Sequence, residues 1–164
     1  MTGSLHPDVI VGSEQSDTIT SYDSADVICG LGGGDKIDGG RGADWIDGDA
    51  GKDEIRGGED ADKILGGDGS DLVVGAGGDD RMSGGRGNDT IKGVSGNDAI
   101  DGGTGKDVLR GASGDDRISG GPSGDVLYGG GGADKLSGGQ GFDRCESPGA
   151  PDDAVTGCEE LFGN

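Results

Sequence analysis

Gly84-Gly85-Arg86-Gly87-Asn88-Asp89-Thr90-Ile91-Lys92 holds in nine residues the pattern that the rest of the chain repeats. Moving outward from Asp89 in steps of nine meets Asp80, Asp71, Asp62, Asp53, Asp44, Asp35, Asp26, Asp17 and Asp8 on one side. On the other side it meets Asp98, Asp107, Asp116, Asp125, Asp134 and Asp143, and Asp152 keeps the same phase. Two residues after each aspartate stands an apolar side chain, from Ile10 and Ile19 through Ile91 to Leu136, and Cys145 takes the next place. Glycine keeps the same beat. Five residues before the aspartate it is unbroken from Gly30 to Gly138, and two residues before it the only departures from Gly33 onward are Asp60 and Ser123. A fixed internal period of this kind marks a stacked repeat architecture.

The composition fits no ordinary globular domain. Glycine supplies 42 residues of 164, while aromatic residues make up only 3% and hydrophobic residues 29%. A thick core cannot be built from that stock. The formal net charge is −20, from 33 acidic and 13 basic side chains. Low hydrophobicity with high net charge is the pattern of a chain that stays disordered, because burial cannot offset the entropy lost on folding. Folding therefore requires a contribution from outside the chain. The sign of the charge points to cations and disfavours nucleic acid and anionic membranes as partners. No apolar run reaches the length of a membrane span, and the first residues, Met1-Thr2-Gly3-Ser4, carry no basic region followed by an apolar stretch.

Each unit reads as a tight glycine-rich turn followed by a three-residue strand. Glycine serves where the turn demands positive φ or close backbone approach. Side chains alternate faces along a strand, so only the central residue points inward. If two units close one coil, successive coils stack at about the inter-strand spacing of 4.7–4.9 Å, and the aspartates fall by parity into two columns. Two unit charges about 5 Å apart at an effective dielectric near 20 repel by roughly 3 kcal/mol, and a divalent cation between them reverses the sign. Calcium suits such a place because it takes six to eight oxygen ligands in flexible geometry, whereas magnesium demands a tighter octahedron. Ligands for zinc are lacking at the repeat's metal position, since the one His and the three Cys lie away from it. The outer residues differ between sheets: Leu72, Val74, Val108, Val126 and Tyr128 on one, Lys63, Arg81, Arg117 and Lys135 on the other.

The nonapeptide Gly-Gly-x-Gly-x-Asp-x-apolar-x resembles the repeat of RTX-type calcium-binding proteins, the hemolysin-type repeat family. The resemblance runs over residues 8–146 and is strongest from about 30 to 143. It implies an all-β fold, a right-handed parallel β-roll with two repeats per coil and several Ca²⁺ ions in the turns. The metal ligands it implies are Asp26, Asp35, Asp44, Asp53, Asp62, Asp71, Asp80, Asp89, Asp98, Asp107, Asp116, Asp125, Asp134 and Asp143. His6, Gln15 and Ser24 replace the second-half glycine of the first units. Residues 1–29 therefore read as a degenerate cap, 30–146 as the calcium-binding roll, and 147–164 as a C-terminal cap. Function is expected to be calcium binding that drives the folding of a secreted, extracellular structural module. Two alternatives stand beside it: a calcium-stabilised adhesion or interaction spacer facing a protein or cell-surface partner, and the carrier module of a larger exported enzyme or toxin. No catalytic constellation is visible: neither His-Glu-x-x-His nor Gly-x-Ser-x-Gly occurs. The chain is not expected to be an enzyme.

Cys145 and Cys158 bracket a segment that loses the repeat. Against the reading as two unrelated thiols, they are expected to form a disulfide stapling the last coil, whose open end would expose strand edges, as in the Cys-bearing tails of similar secreted repeat proteins. Closing a loop of that length contributes about 3 kcal/mol, and the bond belongs to an oxidising compartment. Cys29 is left over, one residue after an inward isoleucine and so on the outer face.

Overall fold

A unit with one apolar side chain in nine can bury it only against its neighbours, and the fold does this by coiling. The computed structural model describes residues 1–146 and 153–162, and among these residues every regular element is a strand. One sheet contains β1 (Val9–Ser13), β3 (Val27–Leu31), β5 (Trp45–Asp47), β7 (Lys63–Asp68), β9 (Arg81–Arg86), β11 (Ala99–Thr104), β13 (Arg117–Pro122), β15 (Lys135–Gln140) and β17 (Ala154–Thr156). The other contains β2 (Thr18–Thr20), β4 (Lys36–Arg41), β6 (Glu54–Glu59), β8 (Leu72–Gly77), β10 (Thr90–Ser95), β12 (Val108–Ser113), β14 (Val126–Gly131), β16 (Arg144–Glu146) and β18 (Glu160–Phe162). Strands alternate strictly between the two sheets, and every pairing is parallel. Ile37 stands beside Ile55 and Ile91 beside Leu109, an offset of 18 residues. Two nonapeptides therefore close each coil. The architecture is a parallel β-roll, as the resemblance implies.

The inward side chains form the core between the sheets. Ile19, Ile28, Ile37 and the rest of the series through Leu136 and Cys145 are almost fully buried, and Ile10 at the open end is 9% exposed. Among the described residues one buried apolar side chain per strand from β1 to β16 makes up the core, a thin stripe with Val155 and Cys158 packed against it.

Most strands run to six residues rather than the three expected, while β2, β5, β16, β17 and β18 keep to three. In β4 the ladder runs over Lys36, Ile37 and Asp38, skips Gly39, and resumes at Gly40 and Arg41. The chain turns its corner at the first glycine of each pair, and the next two residues pair again with the neighbouring coil. From the Asp26 turn onward the left-handed backbone falls on two positions, four and two residues before the aspartate, with Gly69 the exception at the second. Gly40 and Gly42 show it at φ 97° and 115°. Where glycine is missing, Ala76, Val94 and Ala112 keep the same conformation at φ 93°, 96° and 88°, a region that a β-branched residue enters only under strain.

The outer faces divide as the sequence suggests. Leu72, Thr90, Val108 and Val126 align across β8, β10, β12 and β14, and the Arg110 guanidinium lies 4.3 Å from the centre of the Tyr128 ring. Lys63 and Arg81, then Arg117 and Lys135, are register neighbours on the opposite sheet. No helix among the described residues is long and apolar enough to cross a membrane.

Candidate metal centre

Coiling places the aspartates at the corners, just before each strand, in two columns of 18-residue steps. Within a column the backbone N–H of each aspartate donates to Oδ1 of the aspartate one coil further on. Asp26 donates to Asp44 at 2.8 Å, Asp44 to Asp62 at 2.8 Å, Asp71 to Asp89 at 2.8 Å and Asp116 to Asp134 at 3.0 Å. The ladder is therefore covalently regular and hydrogen-bonded along its whole length. Each carboxylate faces the interior: from Asp26 to Asp143 the exposures lie between 0% and 3%.

The second carboxylate oxygen has no such partner. Oδ2 of Asp26, Asp35, Asp44, Asp53, Asp62, Asp71, Asp80, Asp89, Asp98, Asp107, Asp116, Asp125, Asp134 and Asp143 is buried without a hydrogen bond. A buried charged oxygen left unpaired is costly, so a repeated orphan of this kind calls for a counter-charge. The space beside it is kept open by the unbroken glycine. A methyl group added at Gly102 would sit 2.6 Å from Asp107 Oδ2 and 2.6 Å from the Gly120 carbonyl oxygen. At Gly39 the same group would meet Asp44 Oδ2 at 2.6 Å and the Gly57 carbonyl at 2.5 Å. In each case the carbonyl belongs to the next coil of the same column. Carboxylate oxygen, carbonyl oxygen and empty cradle recur together, and all the donors are hard oxygens of the type calcium prefers.

Both ends of the ladder depart from this pattern. Asp8 Oδ2 accepts the Ser4 N–H at 2.6 Å, and Asp17 Oδ2 accepts the Ser13 N–H and hydroxyl, both at 2.8 Å. The protein satisfies these two carboxylates itself, as suits a cap. At Asp26 the cradle glycine is replaced by Ser21, which is buried and donates its hydroxyl to the Gly39 carbonyl. Asp26 thus has an orphan oxygen but a filled cradle, and the open arrangement begins with Asp35. At the far end, Asp134 N–H donates to Asp153 Oδ1 at 2.8 Å and Asp143 N–H donates to Glu159 Oε2 at 2.7 Å. The period does not reveal either residue, because Asp153 lies one residue out of phase and Glu159 is of the wrong type. Asp152, which keeps the phase, lies outside the described residues. Cys145 and Cys158 are joined, with Cα atoms 6.0 Å apart. Cys29 remains a half-buried thiol on the outer row, and burial pushes its pKa up.

Electrostatics follow from the packing. Burial, reinforced by neighbouring carboxylates, pushes Asp62 up to about 7 against the opposing effect of its hydrogen bond from Asp44. Burial likewise raises Asp44, Asp53, Asp80, Asp107 and Asp116 to about 6. Among the described residues no three carboxylate, imidazole or thiol groups converge on one point. Metal coordination at this ladder would therefore draw on successive carboxylates together with backbone carbonyls, in the mixed oxygen shell typical of calcium.

Comparison with known families agrees with this geometry. The model of the RTX calcium-binding nonapeptide repeat (4 copies) matches residues 2–37, 30–64, 38–73, 56–91, 74–109, 92–122 and 110–145. A search of curated proteins finds no match. With the family matched over nearly its whole length and the β-roll formed by its repeats, the chain belongs to the RTX calcium-binding nonapeptide repeat family.

Proposed function

We propose that the chain is a calcium-driven structural module that folds outside the cell. Each ion takes oxygens from successive aspartates of a column, drawn from Asp35 to Asp143 with Asp26 at the margin, and from carbonyls of the glycine-rich turns. Calcium binding here would be folding free energy, since the ligand set exists only once two coils have stacked. The observation that carries this reading is the orphan Oδ2, which recurs from Asp35 to Asp143 beside a cradle left unfilled by glycine, with a carbonyl of the next coil alongside in most of these units. Family membership supports the choice of metal. The Cys145–Cys158 bond supports an oxidising environment. No catalytic role is assigned.

Far-ultraviolet circular dichroism of the purified chain with millimolar calcium, and then with excess EGTA, tests the proposal. A strand signal in calcium that collapses on chelation is expected. A signal unchanged by EGTA would show that the ladder folds without metal.

A further inference from the structure

The last coil is built outside the repeat, yet it rebuilds the repeat's oxygen arrangement. In regular coils the cradle glycine lies against the aspartate Oδ2 and against the carbonyl of the glycine one coil on, as Gly120 does with Asp125 and Gly138. Gly138 lies in the same way against Asp143 Oδ2 and against the carbonyl of Gly157. Glu159 then takes the aspartate's place. It accepts the Asp143 N–H at 2.7 Å, and the Asp143 carbonyl accepts the N–H groups of Glu159 and Glu160 at 3.0 and 3.2 Å. The turn from Gly157 to Glu159 is three residues shorter than that from Gly138 to Asp143. A glutamate, one methylene longer than aspartate, spans the difference. Asp143 is fully buried and its Oδ2 has no partner.

We propose that Glu159 and the Gly157 carbonyl complete an additional calcium site above Asp143, and that the Cys145–Cys158 disulfide holds this site together. The proposal rests on the calcium reading given above. Cys158 is the middle residue of the shortened turn, and its partner Cys145 occupies the inward position of β16, fully buried at the end of the core stripe. The bond therefore ties the turn carrying the two new ligands to the rigid part of the roll. Reduction by a dithiol, which is itself oxidised to a cyclic disulfide while Cys145 and Cys158 become thiols, would release that turn. The terminal ion would leave with it, and the ions of the repeat would stay.

The test counts bound calcium per chain by equilibrium dialysis and atomic emission, with circular dichroism recording the fold in calcium. Wild type is compared with Glu159→Gln, which keeps the disulfide, with Cys158→Ser, and with wild type treated with dithiothreitol. All three should retain the strand signal and bind one calcium fewer than untreated wild type. An unchanged count in Glu159→Gln would overturn the site, and an unchanged count in Cys158→Ser or after reduction would overturn its dependence on the disulfide. Wild type that binds no calcium would instead overturn the underlying calcium reading.

Discussion

At the residue scale, the two oxygens of one carboxylate have separate tasks. Oδ1 accepts a backbone N–H from the previous coil, and Oδ2 faces the open cradle. Asparagine can replace the first function but not the second. Asp89→Asn should keep the bond from the Asp71 N–H while removing the charge, and should weaken calcium binding at the adjoining rungs at least tenfold, about 1.4 kcal/mol. Asp17→Asn, whose Oδ2 is already held by Ser13, should leave calcium affinity unchanged. Titration calorimetry on the pair separates the two cases. The glycines also divide by task. The unbroken glycine five residues before the aspartate is required by close approach, because a Cβ there would meet Oδ2 at every position and a carbonyl of the next coil at most of them. The glycine four residues before it is required by a positive φ, which Val94 tolerates at a cost. Val94→Gly should relieve that strain and, after the entropy that glycine adds to the unfolded chain, stabilise the calcium-bound roll by about 1 kcal/mol. Thermal unfolding at fixed calcium measures it.

At the element scale, a column of buried carboxylates makes folding depend on pH. Asp62 is raised to about 7 and Asp44, Asp53, Asp80, Asp107 and Asp116 to about 6, mainly by burial, from an ordinary value of 3.8. The folded form therefore holds protons more tightly than the unfolded chain. Their contribution to metal-free stability is fully present below about pH 4 and is lost as pH rises through 6 to 7. In EGTA the strand signal should be strongest in acid and fade toward neutrality, and calcium affinity should weaken as the pH falls below about 6. A pH series of circular dichroism with and without calcium checks both signs. Nearly all of this ladder is legible in the sequence, because a nine-residue period fixes both the core residue and the corner residue of every coil. What the period cannot show is where the polypeptide abandons it. Asp153 and Glu159 reach the ladder through turns of altered length, and Ser21 fills a cradle through its own hydroxyl. The six-residue strands are equally hidden, since they depend on pairing that resumes beyond the corner glycine.

At the scale of the whole molecule, most of the net negative charge is matched by the buried ladder. Removing the fourteen orphan carboxylates from a formal charge of −20 leaves −6 for everything else. On the outer faces cations often find acids one coil away, as in Lys36–Glu54 and Arg144–Glu160, both at 3.0 Å, and such exposed pairs add little stability. The solenoid is close to one-dimensional, so its stability depends on what joins each coil to the next. Each calcium adds two positive charges. Native electrophoresis in calcium should therefore show a smaller mobility toward the anode than the chelated chain, against the increase that compaction alone would give. The most direct measurement is anomalous diffraction from crystals grown in calcium. Peaks about 2.3–2.6 Å from the aspartate Oδ2 atoms, stacked along both columns from Asp35 to Asp143, are the expected result. Columns bare of anomalous density, with ions only on the outer surface, would contradict the idea that dications hold the coils together.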